Sequence, residues 1–461
     1  MKIKLFLGTL LLSIAVYSQS FTKQIVSGIG TIDNRALIVE DLDNNSMPDL
    51  FFPNRISGNN YFFKNFSGSF LKQPSTNIIV SNSASTAAVM AGDSDGDCDL
   101  DLYFANGAGS RNINQLFELS NTSYSQNSSS GTTIRNRTSS GGNWVDLDKD
   151  GDLDLFVVNF SNQKNEYYKN IGNNNFIEVD TLGFTANTAN SSHGTFRDFD
   201  GDGDLDLFIA NAGSTNNTYF RNDDTTFFSL KTGSIVSDGG NSFTASAGDY
   251  DNDGDQDIFV GNTGFQKNFL YRNDTNGFTK ITTGSITSGS RKSKSSAWFD
   301  MDNDGDLDLI VGNNGSNKLF KNNGNGNFSS VSAGNLTSDI DNHTALAIAD
   351  VDRNGTEDIV TVLRNKSPVI FYNNDTSNNY ININLLGTGG KGLANNAQVS
   401  VKANISGNGV KWIKRIASNN KGRNAQSTHK VHFGLGSATN VDSLVVKWVD
   451  GTRCTFTNVA V

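Results

Sequence analysis

Aspartate recurs at alternate positions in several short segments of this chain. In residues 300–308 it occupies positions 300, 302, 304, 306 and 308. Carboxylates crowded in this way raise one another's pKa and repel one another once ionised, so a folded protein must compensate them. Three compensators are available: bound cations, lysine or arginine partners, and shared protons of the kind that paired catalytic carboxylates use.

Seven such segments occur, each with Asp-x-Asp-x-Asp/Asn, then usually Gly, then a final Asp before an aliphatic residue. Successive starts are separated by 52, 53, 52, 51, 51 and 50 residues. Shared protons do not account for seven copies, and most lysine and arginine residues lie outside the segments, so we do not expect ion pairing within them. Bound cations are the favoured explanation. The segments start at Asp41, Asp93, Asp146, Asp198, Asp249, Asp300 and Asp350.

The spacing of the oxygens points to Ca²⁺, which takes 6 to 8 oxygen ligands and binds alternating acidic side chains in EF-hand loops. Here the pattern ends with Asp at position 9 and a strand follows, which excludes an EF-hand. By analogy with that loop we predict side-chain ligands at positions 1, 3, 5 and 9 and a backbone carbonyl ligand at position 7. Mg²⁺ fits such loops less well because it usually retains several waters.

The predicted cofactor is therefore Ca²⁺, up to seven ions. In the five fully acidic segments the predicted ligands are Asp93, Asp95, Asp97, Asp99 and Asp101; Asp146, Asp148, Asp150, Asp152 and Asp154; Asp198, Asp200, Asp202, Asp204 and Asp206; Asp249, Asp251, Asp253, Asp255 and Asp257; Asp300, Asp302, Asp304, Asp306 and Asp308. In the first and last segments they are Asp41, Asp43, Asn45, Met47 and Asp49, and Asp350, Asp352, Asn354, Thr356 and Asp358.

Four substitutions separate some segments from the rest. Asn45 and Asn354 remove one charge each, so we expect weaker Ca²⁺ binding in the first and last segments. Ser46 and Cys98 replace the glycine at position 6, and both loops are strained if that position requires a left-handed backbone.

The overall charge fits bound cations. Positions 1, 3, 5, 7 and 9 of the seven segments hold 31 of the 47 acidic residues. Without Lys2 and Lys4, 35 basic residues face 47 acidic ones, a formal charge of −12, and seven Ca²⁺ ions would change it to +2. The low isoelectric point therefore does not indicate a basic partner.

The elements that position these segments repeat with them. A short run with small residues precedes each segment, and a β-type run, a Gly/Asn-rich stretch and an aromatic-rich strand ending in Asn usually follow. Four short strands in about 50 residues are typical of a propeller blade. We predict an all-β chain with a seven-bladed β-propeller, each first strand innermost; a linear solenoid is the alternative. The seventh unit lacks a fourth strand, which residues 21–26 would supply.

The two ends of the chain differ from the repeats. Residues 1–18 have the basic and apolar character of a secretory signal peptide, and their apolar run is shorter than the roughly 20 residues of a membrane-spanning anchor. We expect a soluble protein that is secreted, periplasmic or on the cell surface, with a propeller over residues 19–377 and a small β domain over 378–461. Cys98 and Cys454 are either bridged or free thiols.

The repeats resemble the FG-GAP/VCBS family of calcium-binding propellers, whose integrin members carry the same Asp-x-Asp-x-Asp-Gly-x-x-Asp loops. The tail resembles the ASPIC/UnbV domain of cartilage acidic protein relatives, through "NNYININLLGTGG", "VKWIKRIASNNKGRNAQSTHKVHFGLGS" and "VDSLVVKWVDG". The resemblance implies a calcium-loaded propeller and leaves the biochemical role undefined. The landmarks of the tail are Gln426, Ser427, Phe433, Gly434, Leu435, Gly436, Trp448 and Gly451.

No motif for catalysis accompanies these repeats: the chain has four histidines and lacks a Gly-x-Ser-x-Gly elbow, a phosphate-binding glycine loop and HExxH. We predict a binding or adhesion module with structural calcium, whose partner is an extracellular protein or a glycan. Nucleic-acid binding and membrane insertion are not expected, and the oligomeric state is open. A lyase-like enzyme acting on polysaccharide is the alternative, and a passive spacer is a third possibility.

Overall fold

The protein is almost entirely β-structure. A computed structural model describes residues 19–461 except 31–32, 57, 108–110, 121, 134, 187, 225–226, 275–276, 325, 387–394 and 406–408. The expected signal peptide, residues 1–18, lies outside the described residues. The described helices are one turn long: α1 Ile78–Ser81, α2 Asn335–Ser338 and a 3₁₀ turn at Ser234–Val236.

The sequence repeat folds into seven four-stranded antiparallel units, which we call blades 1 to 7 in chain order. In each, the strand before the acidic loop lies at one edge, and the strand after the loop pairs with it. The first strand, β1 Phe21–Ile25, belongs to blade 7. Blade 1 contains β2 Leu37–Glu40, β3 Asp49–Phe52, β4 Tyr61–Phe66 and β5 Ser69–Lys72.

The next three blades also include short connecting strands. Blade 2 and its connection contain β6 Thr86–Gly92, β7 Asp101–Asn106, β8 Asn112–Ile113, β9 Gln115–Ser120, β10 Ser123–Asn127 and β11 Asn136–Arg137. Blade 3 and its connection contain β12 Ser139–Val145, β13 Asp154–Asn159, β14 Gln163–Lys164, β15 Glu166–Asn170, β16 Phe176–Glu178 and β17 Thr188–Ala189. Blade 4 contains β18 Ser191–Arg197, β19 Asp206–Asn211, β20 Thr218–Asp224 and β21 Phe227–Leu230.

The last three blades repeat the pattern. Blade 5 and its connection contain β22 Ser242–Gly248, β23 Asp257–Asn262, β24 Gln266–Lys267, β25 Phe269–Asp274, β26 Gly277–Ile281 and β27 Ser290–Arg291. Blade 6 contains β28 Ser293–Phe299, β29 Asp308–Gly315, β30 Lys318–Asn322 and β31 Phe328–Val331. Blade 7 contains β32 Asp341–Ala349, β33 Asp358–Leu363 and β34 Val369–Asn373, and pairs β34 with β1.

The blades close into a ring. The strand preceding each acidic loop contacts its counterpart in the next blade, and β32 of blade 7 contacts β2 of blade 1. An apolar cluster fills each junction between neighbouring blades, including the junction of blade 7 with blade 1. The N-terminal strand completes blade 7 as expected, with Phe21 opposite Asn373 and Ile25 opposite Val369. The expectation of an all-β propeller is confirmed.

Small residues in the innermost strands have a steric cause. A Cβ atom on Gly142 would overlap the carbonyl oxygen of Phe156 in the neighbouring strand. On Gly194, a Cβ atom would lie 2.7 Å from the Phe156 ring, which fills the junction between blades 3 and 4. The innermost strands therefore tolerate little side-chain volume where the blades converge.

The tail forms a small β domain with its own core. One four-stranded sheet has the order β37-β36-β40-β41, and a second, two-stranded sheet pairs β35 with β39. Their inward side chains, such as Val399, Val401 and Phe433, are fully buried. The strands are β35 Asn379–Ile383, β36 Gln398–Asn404, β37 Val410–Ile416, β38 Ala425–Gln426, β39 Val431–Gly436, β40 Asn440–Lys447 and β41 Arg453–Ala460.

One loop of this domain enters the ring. Residues 418–429, which we call the channel segment, include β38, which pairs in parallel with β2. The side chain of Asn419 donates to the carbonyl of Ala91 at 2.9 Å, and Ser427 Oγ accepts from the backbone N–H of Ile348 at 3.0 Å. Further contacts of the segment reach β12, β18, β22 and β28, so it touches the innermost strands of all seven blades. The channel segment therefore occupies the centre of the ring.

Candidate metal centres

The acidic loops bring carboxylates together within each blade. In the described residues, acidic side chains of blades 1 to 5 form groups of three whose potential ligand oxygens lie within 4.8 Å of one another. In four of the blades the groups combine positions 1 and 3 with position 5 or 9, and blade 5 gives the group Asp249, Asp251 and Asp257. The predicted ligand positions are thus adjacent in space, whereas their role as ligands stays a prediction.

Backbone hydrogen bonds shape each loop around its first aspartate. In blade 6, Asp300 accepts the N–H groups of Asp304 at 3.1 Å and Gly305 at 2.8 Å. The side chain at position 5 accepts the N–H of position 7, as Asp304 does from Asp306 at 3.0 Å. These bonds curl the chain so that the side chains at positions 1, 3 and 5 converge.

The curl requires a left-handed residue at position 6. Glycine fills this position in five loops, with φ between +90° and +104°. Ser46 and Cys98 adopt φ of +69° and +74° at the equivalent positions. The conditional expectation of strain in these two loops is confirmed, because left-handed backbone is costly for a residue with a Cβ atom.

The aspartate at position 9 is the most buried carboxylate of each loop. In blade 5, Asp257 accepts the N–H groups of Tyr250 at 3.0 Å and Asn273 at 2.8 Å. Burial, and to a smaller extent the charges of Asp251 and Asp249, raise the pKa of this carboxyl to about 9. The same position in the other blades shows a raised pKa with burial as the main cause.

The asparagine that ends the third strand has a geometric role that recurs in several blades and was not predicted from sequence. Asn322 is fully buried; its N–H donates to Asp308 at 2.7 Å, and its amide donates to the carbonyl of Tyr250 at 2.6 Å. It therefore joins the blade 6 loop to the blade 5 loop. Asn65, Asn170, Asn273 and Asn373 make the same cross-blade bond. The recurrence of Asn at this point in the repeat was the signal available.

Ion pairing was not expected within the loops, but basic side chains from outside the loops pair with loop carboxylates. The third strand places a basic side chain over the loop, so that Lys64 lies 3.0 Å from Asp43, and Lys321 pairs with Asp302. Lys169 and Arg221 pair with position 3 of their own blades in the same way. These partners follow the aromatic residues of the third strand, far from the loop in sequence. One such cation leaves most of the loop's negative charge uncompensated.

Several buried carboxylate oxygens are suited to a cation. Asp146, Asp148, Asp251, Asp302 and Asp350 each have a buried Oδ1 that accepts no hydrogen bond from the described residues. Leaving such an oxygen unsatisfied is costly. A hard cation held by several carboxylates would satisfy these oxygens, so the donor set fits Ca²⁺.

The side chain at position 7 points to a neighbouring loop. Asp306 accepts from the amide of Asn252 in blade 5 at 2.7 Å, and Asp204 pairs with Lys149 of blade 3. In these two blades the side chain of position 7 thus links adjacent loops, whereas the backbone carbonyl of position 7 as a metal ligand stays a prediction.

In the loops of blades 1 and 7, the asparagine at position 5 donates a hydrogen bond to the end of the third strand. The amides of Asn45 and Asn354 donate to the carbonyls of Asn65 at 3.0 Å and Asn373 at 2.8 Å. A carboxylate cannot make this bond. Asparagine in place of aspartate at position 5 thus removes one negative charge from the loop and adds a hydrogen bond to the third strand.

The small domain covers the blade 6 loop. Gly434 donates its N–H to Asp300 at 3.2 Å, and Gly436 donates to the carbonyl of Asn303 at 2.7 Å. A Cβ atom on Gly434 would overlap Asp300 and the backbone of Asn303. Arg415 donates to the carbonyl of Gly305 at 2.9 Å. The blade 6 loop, a predicted metal loop, is therefore also a surface that the second domain contacts.

Two of the histidines are buried against polar side chains. Buried His429 contacts Glu40 at 2.6 Å, and His432 contacts Asn303 at 2.6 Å. Cys98 and Cys454 are exposed and are not joined by a disulfide.

The repeats and the tail both match known protein families. A family model described as FG-GAP-like repeat matches residues 41–104, 146–209, 198–260, 249–311 and 300–361, more than half of the chain. The chain belongs to the FG-GAP-like repeat family. In this FG-GAP-like protein, residues 387–461 match the model described as ASPIC and UnbV. Both resemblances expected from sequence are confirmed. The curated proteins contain no match.

Solved structures resemble the FG-GAP-like protein in fold alone. BBS1N, in its complex with ARL6DN, is 12% identical with a TM-score of 0.51, covering 77% of this chain and 98% of that chain. The extracellular domain of a hybrid two-component system from B. thetaiotaomicron is 14% identical with a TM-score of 0.50, covering 83% of this chain and 42% of that chain. Within the described residues, no helix has the length and apolar character needed to cross a bilayer.

Proposed function

We propose that this FG-GAP-like protein is a secreted binding or adhesion module whose blades hold up to seven structural Ca²⁺ ions. The observation that carries the proposal is the convergence of acidic oxygens in the loops of blades 1 to 5, together with buried carboxylate oxygens that accept no hydrogen bond from the described residues. The side chains at positions 1, 3, 5 and 9 would hold the ion, with the carbonyl of position 7. When bound, Ca²⁺ supplies positive charge that offsets carboxylate repulsion.

The ions would also stabilise the junction between the domains. Asp300 is a predicted ligand in blade 6 and accepts an N–H from Gly434 of the tail. Without the ion, repulsion between the carboxylates of this loop would weaken the hydrogen bond from Gly434 to Asp300. Metal in blade 6 thus supports docking of the second domain.

Recognition would fall to surfaces outside the metal loops, with an extracellular protein or a glycan as partner. The signal-peptide character of residues 1–18 supports export, to the medium, the periplasm or the cell surface. Membership of the FG-GAP-like family supports an extracellular binding role.

Chelation tests the structural role of the metal. A ligand at 100 times its Kd contributes about 2.7 kcal/mol per site, so removing Ca²⁺ from several sites should lower the melting temperature by about 5 °C or more. Scanning calorimetry of the full chain with EDTA, and after readdition of Ca²⁺ or Mg²⁺, measures the effect. An unchanged melt in EDTA, for protein shown by elemental analysis to contain no metal, would refute the proposal.

A further inference from the structure

A cluster of basic side chains lies at the end of the channel opposite the acidic loops. Arg35 precedes the innermost strand of blade 1, and Lys292 and Lys294 lie at the start of the innermost strand of blade 6. Arg55 and Arg364 follow the second strands of blades 1 and 7. All five positions are at the strand ends remote from the metal loops. With Arg423 of the channel segment, they form what we call the mouth cluster.

A single carboxylate serves the mouth cluster. Asp33 is buried and lies 2.9 Å from Arg35, 3.4 Å from Arg55 and 3.6 Å from Arg364. Among the described residues, Lys292, Lys294 and Arg423 have no carboxylate within ion-pair distance. Six cations therefore face one anion. Repulsion between like charges disfavours such a cluster unless another anion is present.

The path of the channel segment through the ring places Arg423 in the mouth cluster. His429 lies beside Glu40, at the acidic-loop end of β2, whereas Asn424 donates to the carbonyl of Ala87, near the start of β6. The segment thus runs through the ring from one face to the other. Arg423, next to Asn424, consequently emerges at the basic end.

The Arg423 side chain is buried without a polar partner. It is 8% exposed, and its buried Nε donates no hydrogen bond to the described residues. Its guanidinium lies 4.9 Å from the centre of the Phe243 ring and 5.9 Å from that of Phe160. Lys294 Nζ lies 4.1 Å from the same Phe243 ring. Cation–π contacts hold these groups in place but leave their charge and their N–H donors unsatisfied.

Electrostatics at the mouth favour an incoming anion. Burial, and then the charges of Arg35 and Arg55, lower the pKa of Arg423 to about 9. Burial and the charge of Arg423 lower the pKa of Lys294 to about 8. Both groups remain mainly cationic near neutral pH.

We propose that the mouth cluster binds a compact anionic group, a sulfate or carboxylate, either free or carried by an acidic saccharide. The proposal names the ligand class of the binding module inferred above and rests on that function. Arg423, Lys294 and Lys292 are the groups available to the anion. The other three members of the cluster, all arginines, already form ion pairs with Asp33. A polyanion such as nucleic acid needs basic charge spread along a surface, whereas this cluster is confined to one mouth.

Titration calorimetry of the Ca²⁺-loaded full chain tests the site, at constant ionic strength. The probes are sodium sulfate, a sulfated disaccharide and its desulfated counterpart. Lys294→Met should weaken binding at least tenfold. Lys280→Met is the matched control. Lys280, on the outer strand β26, also lies 4.1 Å from a phenylalanine ring, that of Phe269, but it pairs with Asp238 at 2.7 Å. Arg423→Met should weaken binding as strongly, and Lys292→Met provides a rim variant if Arg423→Met misfolds.

The outcomes separate the ligand sources and the two proposals. Equal binding of sulfate and sulfated disaccharide, lost in Lys294→Met, supports the site with a free anion as ligand. Binding of the sulfated disaccharide alone supports a saccharide. Absence of binding by every probe, or equal loss in Lys280→Met and Lys294→Met, overturns the site. Because the melting shift with EDTA is measured separately, a calcium-stabilised protein without anion binding would overturn this inference and leave the calcium role intact.

Discussion

Replacing Cys98 by glycine should stabilise the blade 2 loop. Cys98 has φ +74°, and its side chain is exposed, so glycine loses little packing. Left-handed backbone costs a residue with a Cβ atom about 1–2 kcal/mol. Glycine gives back about 0.5–1 kcal/mol because it loses more chain entropy on folding. The net expectation for Cys98→Gly is an increase of up to about 1.5 kcal/mol in the free energy of unfolding, and about 0.75 kcal/mol at the midpoints of the two ranges.

The measurement is equilibrium unfolding in urea, followed by tryptophan fluorescence, for Ca²⁺-loaded protein. The bond from the N–H of residue 98 to Asp93, 2.9 Å long, is kept in the variant. Cys454→Gly is the matched control, because Cys454 is also exposed but lies within β41, where glycine should destabilise by about 0.5–1 kcal/mol. Ser46→Gly, at φ +69°, should shift the midpoint in the same direction as Cys98→Gly.

A fall in stability for Cys98→Gly as large as that for Cys454→Gly would refute the reasoning. It would mean that the loop gains nothing from relief of backbone strain. Opposite signs for the two cysteine variants, with Ser46→Gly following Cys98→Gly, would support it.

Three further substitutions test the loops and their connections. Asn45→Asp should tighten Ca²⁺ binding in blade 1 several-fold by adding a charge, measured by calcium titration; equal or weaker binding would contradict this. Gly434→Ala should destabilise the protein by about 1–3 kcal/mol and expose the tail to limited proteolysis, because the added methyl group overlaps the blade 6 loop. Asn322→Ala should lower the free energy of unfolding by about 1–3 kcal/mol by breaking the cross-blade bonds, whereas Asn323→Ala, at an exposed position, should not; similar urea midpoints would contradict that assignment.

The parts of the fold that sequence predicts are those encoded within one repeat. Each acidic loop lies in nine consecutive residues, so turn chemistry and spacing suffice to place its carboxylates together. The strand order within a blade follows from consecutive antiparallel pairing. The closure of blade 7 by β1 was also predicted from the sequence, because the seventh unit lacks a fourth strand and residues 21–26 have the character of one. In the structure, β1 pairs with β34.

The contacts that sequence failed to predict join residues far apart in the chain. Lys321 approaches Asp302 only because strand β30 folds back beside the loop. Asn322 reaches the carbonyl of Tyr250 only because neighbouring blades pack side by side. No local sequence pattern indicates which distant acceptor such a side chain contacts.

By itself, the sequence determined the repeat, the β-structure, the acidic loops and the strained residues within them, since these depend on spacing and on local backbone preference. Only the tertiary structure decided that the channel segment passes through the ring, that Gly434 rests on Asp300, and that Arg423 joins distant basic residues at the opposite mouth. The physical reason is that ring closure creates a central channel whose lining comes from all seven blades. What fills that channel depends on complementary shape and charge across the whole chain.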